Sequence, residues 1–465
     1  MEQTAKRRRM ISDVNSNDNQ SDNGGENQGR KGLLKGAVWI AIGGFVAKLI
    51  GGLYRIPLTN AIGGRGLGLY QLGYSVYCLF LTVATGIPSS VSKLTAEKLG
   101  QGQSAEPLFK RAMKLFLSVG LAASALMAIL APFIARAQGG AEVLWGYYAL
   151  APAVALVSVI SVFRGYFQGK NDMMPTAISE VVEQIVKVGL GLLFAYFFRG
   201  NVAQTVTWLL FAVSLSEAVA LLLLYAVYKR GKSALKIKND PPMYELKPIL
   251  RLAVPVTVSG LLLPASHLLD SVLAPRLLSV YTENAVTLYG LFAGGAVTLI
   301  NLPVSICYGI AAASIPVVAN ARASGNKKDG WRRVRFALFI TAAVALPCAV
   351  GLYAFADVAV RMVFRNLSAA ESQMLIRLTK ILAVSTLTLS CVQTLSACLT
   401  AQGKPQYAAF SWLIALSVKT AAYVTWLKNP SASILGLAYA TNLAYLVAFF
   451  LHLLYNFYAS KKRKE

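Results

Sequence analysis

The sequence predicts an all-α polytopic membrane protein with about 12 transmembrane helices in two pseudo-symmetric six-helix lobes. Three observations predict it. The 465 residues are 56 % hydrophobic and only 14 % charged, with a mean hydropathy of +0.54, whereas soluble chains are about 25 % charged. Apolar runs of bilayer-spanning length recur along the chain. Short motifs recur in the same order in its two halves.

The runs lie near 33–54, 67–92, 111–135, 143–164, 175–198, 204–228, 248–273, 285–316, 334–356, 374–400, 406–427 and 432–456. The first 30 residues are polar, rich in Asn, Ser, Asp and Gly, and unlike a cleavable signal sequence. Residues 1–31 therefore read as a disordered cytoplasmic tail. Residues 32–228 form the first lobe, 229–247 a cytoplasmic linker, 248–456 the second lobe, and 457–465 a basic cytoplasmic tail. With the N-terminus inside, cytoplasmic segments hold about 32 Lys and Arg and outer segments about nine. Both termini are then cytoplasmic, and the net charge of +25 is a topology signal rather than a nucleic-acid surface. The five cysteines lie scattered in apolar runs and the chain has two histidines, a pattern with neither disulfide nor metal spacing.

The repeat rests on four pairs. Leu-Tyr-Gln-Leu at 69–72 matches Leu-Tyr-Gly-Leu at 288–291, and Gly86-Ile87 matches Gly309-Ile310. The basic run from Phe109 matches that from Trp331, and Gln-Gly-Lys at 168–170 matches the same tripeptide at 402–404. Six helices per half make the repeat parallel, and transporters of this kind place their site between the halves.

Charges inside the spans nominate that site. Lys48 and Arg55 lie seven residues apart, about two turns, on one face of the first span. A buried membrane charge costs about 2.5–3.5 kcal/mol at mid-span, so the pair reads either as the lining of an anion cavity or as a local neutralisation plus an interfacial anchor. The repeat carries Lys48 onto His267 and Arg55 close to Arg276. Asp270 stands one turn from His267 as a partner for it or for Lys48. In the fifth span, Glu183 and Lys187 have the favourable acid-first i, i+4 order of a local ion pair, with a relay as the alternative. Glu217 is a candidate coupling carboxylate, and Lys419 either balances it or lines the cavity. Gly86 and Pro88, Pro255 and Pro264, and Pro303 mark hinges in equivalent spans of the two halves. No P-loop, metal cluster or catalytic triad points to an enzyme. The sequence predicts no cofactor, and a coupling ion, Na+ or H+, stays open.

Gly-Leu-Tyr-Arg-Ile-Pro-Leu at 52–58, Asn-Ala-Ile-Gly-Gly-Arg-Gly-Leu-Gly-Leu-Tyr-Gln at 60–71, Gly-Ile-Pro-Ser-Ser-Val-Ser-Lys-Leu at 86–94 and the run from Arg164 to Val188 together resemble one family. It is the stage V sporulation protein B and MurJ-like lipid II flippase branch of the polysaccharide exporters, within the multidrug/oligosaccharidyl-lipid/polysaccharide superfamily. The resemblance implies a V-shaped, MATE-like pair of lobes around a central cationic cavity. It implies transfer of an undecaprenyl-diphosphate-linked saccharide, such as a peptidoglycan precursor, to the outer leaflet of the bacterial cytoplasmic membrane. Arg can hold a diphosphate by paired charge-assisted hydrogen bonds, which makes Lys48, Arg55 and Arg276, together with His267, the substrate-binding and cavity candidates. Expected partners are this lipid and the bilayer, with a monomer working beside cell-wall synthesis enzymes and no nucleic acid. Several relatives carry two further C-terminal helices, and a lipid-tail groove built from them is not expected here. The alternatives are a cation-coupled multidrug exporter on the same fold and a non-transporting scaffold in envelope or spore assembly.

Overall fold

The computed structural model describes residues 43–461 apart from 45, 48, 85, 233–244 and 324–326. Lys48, the N-terminal tail and most of the expected linker lie outside the described residues.

Residues 49–81 are helical. They are divided at Gly63, whose φ of +67° suits glycine and few other residues, into α1 (49–62) and α2 (64–81). The second span does not run unbroken to residue 92. A 3-10 turn (Thr82–Ala84) and Gly86 precede α3 (Ile87–Gly100), where Pro88 sits in the first turn and costs no internal hydrogen bond. The first lobe continues with α4 (Glu106–Ala137), α5 (Leu144–Gly169), α6 (Met174–Phe197) and α7 (Val202–Lys232). Proline also opens α4 and α6.

The seventh span is two helices, α8 (Leu246–Gly260) and α9 (Leu262–Leu278). Pro264 lies in the first turn of α9, so the chain breaks just before it. Pro255 lies within α8, which is continuous. The eighth span starts as α10 (Ala285–Gly290), passes through a π-helical segment (Leu291–Ala296) and becomes α11 (Val297–Ala323). The hinge expected at Pro303 is therefore displaced. The irregular backbone falls at 291–296, where Gly294 lets Leu67 approach, while Pro303 stays inside an unbroken helix. Then follow α12 (Lys327–Ala354), the short α13 (Ala356–Val363), α14 (Ala369–Ala401), α15 (Pro405–Trp426) and α16 (Leu435–Lys461). The last helix thus extends into the stretch expected as a tail. Ser368 and Glu371 close a capping box on α14.

Among the described residues eight helices are long and apolar enough to cross a membrane. Lipid cannot hydrogen-bond a backbone, so helices satisfy their own. Buried hydroxyls follow the same rule: Thr379, Ser390 and Thr441 each donate to the carbonyl four residues back.

The halves pack as two lobes that meet at the end bearing Gly63 and the 279–284 and 364–368 turns. There Asn60 Nδ2 donates to the Val363 carbonyl at 3.0 Å, its Oδ1 accepts from the Arg365 amide at 2.8 Å, and Asn366 Nδ2 donates to the Asn60 carbonyl at 2.6 Å. Gln71 bonds the Ala293 carbonyl and Gln138 bonds Ser271 Oγ, both at 2.7 Å. At the opposite end α8 departs from the expected lobe boundary. Ile249 and Ala253 belong to the apolar core of α3, α4 and α5, and a side chain at Gly86 would collide with the Ala253 carbonyl. One span thus begins on the first lobe and finishes on the second, where α9 packs against α15.

Candidate functional site

A cavity of about 740 Å³ lies between the lobes, lined from the first by α1, α2, α5 and α6 and from the second by α9, the π-segment, α11, α14, α15 and α16. Arg55, His267, Asp270, Glu183, Lys187 and Lys419 all line it. Seven of the charged lining residues are Arg55, Arg164, Lys187 and Lys419 against Glu180, Glu183 and Asp270, a smaller cationic excess than the resemblance implies.

How these groups pair decides what the cavity attracts. Glu183 Oε2 accepts from Arg164 Nη2 at 3.0 Å and its Oε1 from Gln184 Nε2 at 3.0 Å. The expected Glu183–Lys187 pair is therefore not the ion pair formed. Arg164, on the neighbouring helix and bonded also to Ser179 Oγ, brings a planar fork that a lysine lacks. Asp270 is paired with Lys419, both nearly sealed from solvent. Asp270 thus does not bond His267, Lys48 lies outside the described residues, and Lys419 balances Asp270 within its own lobe rather than Glu217 across the molecule.

Arg55 and Lys187 are different. Arg55 Nη1 donates to the neutral Thr298 Oγ1 of the second lobe at 2.9 Å, and its guanidinium lies 5.9 Å from the Tyr74 ring centre. No carboxylate pairs with Arg55 or Lys187 among the described residues. These two cations, both on the first-lobe wall and both half-buried, stand outside the ion pairs formed among the described residues, and with Glu180 counted they leave the lining a net excess of positive charge.

Two expected site residues lie elsewhere. Arg276 is exposed in the last turn of α9 and does not line the cavity. It follows His267 by nine residues, which on an α-helix points it about 180° away, whereas the seven-residue spacing of Lys48 and Arg55 keeps one face. Glu217 is buried behind the wall, where Tyr77 donates to its Oε1 at 3.3 Å and its Oε2 has no partner. Arg164 was not foreseen as a site residue, although it opens the Arg-Gly-Tyr-Phe-Gln-Gly-Lys run. At the end of an apolar stretch it read as a boundary. Among the described residues no cluster of three or more His, Cys, Asp or Glu is arranged to hold a metal.

Comparison with known proteins places this architecture. The polysaccharide biosynthesis protein family matches residues 33–322, and the MatE family matches residues 255–427. Stage V sporulation protein B of Bacillus subtilis (strain 168) is 26 % identical over 90 % of this chain and 82 % of its own length. Lipid II flippase MurJ of the same organism is 26 % identical over 69 % of this chain, and the match spans 64 % of MurJ. An inward-facing multidrug resistance MATE family transporter of the MOP superfamily shares the fold with a TM-score of 0.76 at 17 % identity, covering 90 % of this chain and 96 % of that one. The outward-facing form of such a transporter gives 0.67 at 18 % identity, covering 92 % and 96 %. With a family match over more than half its length, the chain belongs to the polysaccharide biosynthesis protein family and is a multi-pass membrane protein, and its matched relatives and structural neighbours include a flippase and transporters rather than enzymes.

Proposed function

We propose that the protein moves an undecaprenyl-diphosphate-linked saccharide, a peptidoglycan precursor or related envelope intermediate, from the inner to the outer leaflet of the bacterial cytoplasmic membrane by alternating access. Both termini face the cytoplasm, as the basic loops require. The end at which Asn60 grips 363–366 is then the outer end, so the lobes are closed outward and the cavity is loaded from inside.

One observation carries this reading. Among the described lining residues, Glu183 and Asp270 are committed to Arg164 and Lys419, while Arg55 and Lys187 have no carboxylate partner. A cavity whose lining carries more cations than carboxylates, with Arg55 and Lys187 outside any ion pair among the described residues, favours an anion, and a diphosphate is a dense one. A cation-coupled drug exporter would need an available acid for its cationic cargo, whereas Glu183 and Asp270 are held in ion pairs and the third lining acid, Glu180, is not free of interactions either.

The test is complementation in cells depleted of their own flippase. Arg55→Ala combined with Lys187→Ala is expected to abolish growth rescue, with lipid-linked precursor accumulating by mass spectrometry. Full rescue by the double variant, at wild-type protein level, overturns the assignment.

A further inference from the structure

Beside the cation pair the cavity wall changes character. Tyr70 and Tyr74 stand one turn apart on α2 with rings stacked at 5.7 Å and 14°. Both line the cavity, and neither hydroxyl has a hydrogen bond among the described residues. On the facing wall Asn301 of α11 is exposed to the cavity with its carboxamide equally unengaged. Gln393 of α14 lines it too, and its Oε1 is buried without a partner.

An acyl or polyprenyl chain does not call for such groups. Apolar cargo suits Phe and Leu, and buried phenols and carboxamides left unsatisfied are costly. They become favourable when the cargo supplies donors and acceptors. A pyranose does so around its rim, with hydroxyl and acetamido groups, and presents a C–H face that packs on an aromatic ring. The spacing also fits. The sugar of a glycosyl diphosphate is bonded directly to phosphate, so it must lie next to whatever holds the phosphate, and Tyr74 adjoins Arg55. The volume of about 740 Å³ lies within the roughly 300–1,000 Å³ of small-molecule sites, enough for a head group with its tail left in the lipid.

We infer that the cavity contains a saccharide subsite, with Tyr70 and Tyr74 on one wall and Asn301 and Gln393 on the other, that reads the sugar bonded to the diphosphate. The inference rests on the flippase reading and adds that the sugar, as well as the phosphate, is recognised.

The experiment compares binding of undecaprenyl diphosphate and undecaprenyl-diphosphate-N-acetylglucosamine to the full chain in nanodiscs by native mass spectrometry. Wild type is expected to prefer the sugar-bearing lipid by about tenfold, the worth of one or two net hydrogen bonds. Tyr74→Phe and Asn301→Ala, at positions that are not fully buried, are expected to erode that preference while leaving affinity for the sugar-free lipid unchanged. Equal affinity of wild type for the two lipids, or a preference untouched by both substitutions, overturns the subsite and leaves the flippase reading standing. Failure to bind either lipid overturns both.

Discussion

Lys419 and Asp270 illustrate what single residues contribute. Neither alone is tolerable in a membrane interior, and together they tie α15 to α9. Removing one partner strands the other charge. Lys419→Met or Asp270→Asn is expected to cost about 3–5 kcal/mol of stability, while the double variant Asp270→Leu with Lys419→Met returns close to wild type, because a well-packed apolar pair replaces a buried ion pair at little cost. Tm values of detergent-purified variants check this, and equal losses in the single and double variants would contradict it. At this scale the sequence was only partly legible. It marked which charges lie inside spans, because such residues are rare there, but an ion pair depends on which helices are neighbours. The seven-residue Lys48–Arg55 spacing showed a shared face. The nine-residue spacing of His267 and Arg276 held the opposite message, and the repeat alignment obscured it.

Elements were more legible than their joints. All eight spanning helices found among the described residues fall on runs that apolar length alone marks, and Pro88 and Pro264 sit within the first turn after real breaks, where proline is tolerated. Pro303 misleads for the complementary reason: a neighbour-supported membrane helix absorbs it. The π-segment at 291–296 has no local sequence signature except its paired glycines. Gly86 governs the joint between α3 and α8. Gly86→Ala is expected to push α8 off α3, lowering Tm by several degrees and reducing transport, whereas Gly100→Ala, with nothing near its added carbon, leaves transport intact and stabilises α3 slightly. Complementation and thermal melts of the two variants, compared side by side, decide it.

The short α13 offers a pH reading. Asp357 accepts from Lys380 Nζ at 2.6 Å, and that hydrogen bond holds its carboxyl below the usual 3.8. A depressed carboxylate contributes stability above its unfolded value and loses it as pH falls through the folded one. The α13–α14 tether is therefore expected to persist down to about pH 4 and to loosen only below it, with a small effect because the pair is exposed. Limited proteolysis near residue 355 across acid pH checks it: Asp357→Asn is expected to be cut at the same rate throughout.

For the molecule as a whole, the Asn60 contacts with 363–366 make the closure of the lobes at that end a testable object. In a variant with its native cysteines replaced, Asn60→Cys with Asn366→Cys joined by a short thiol crosslinker is expected to stop transport, and cleaving the linker to restore it. Continued transport by the crosslinked protein would show that the lobes need not part there. The two-lobe plan was legible from the repeat and the charge of the loops. The asymmetry between the lobes was not, since α8 is as apolar as its counterpart and declares its allegiance only by the neighbours it keeps.

That allegiance bears on how the chain assembles during synthesis. The first six spans emerge from the ribosome lacking the piece that covers Ile87 and Phe109, and they gain it only when residues 246–260 follow. Co-expressed fragments split between residues 232 and 246 must therefore find each other through that donated segment, whereas a split after Gly260 gives an amino-terminal fragment that already carries it and should accumulate in membranes by itself.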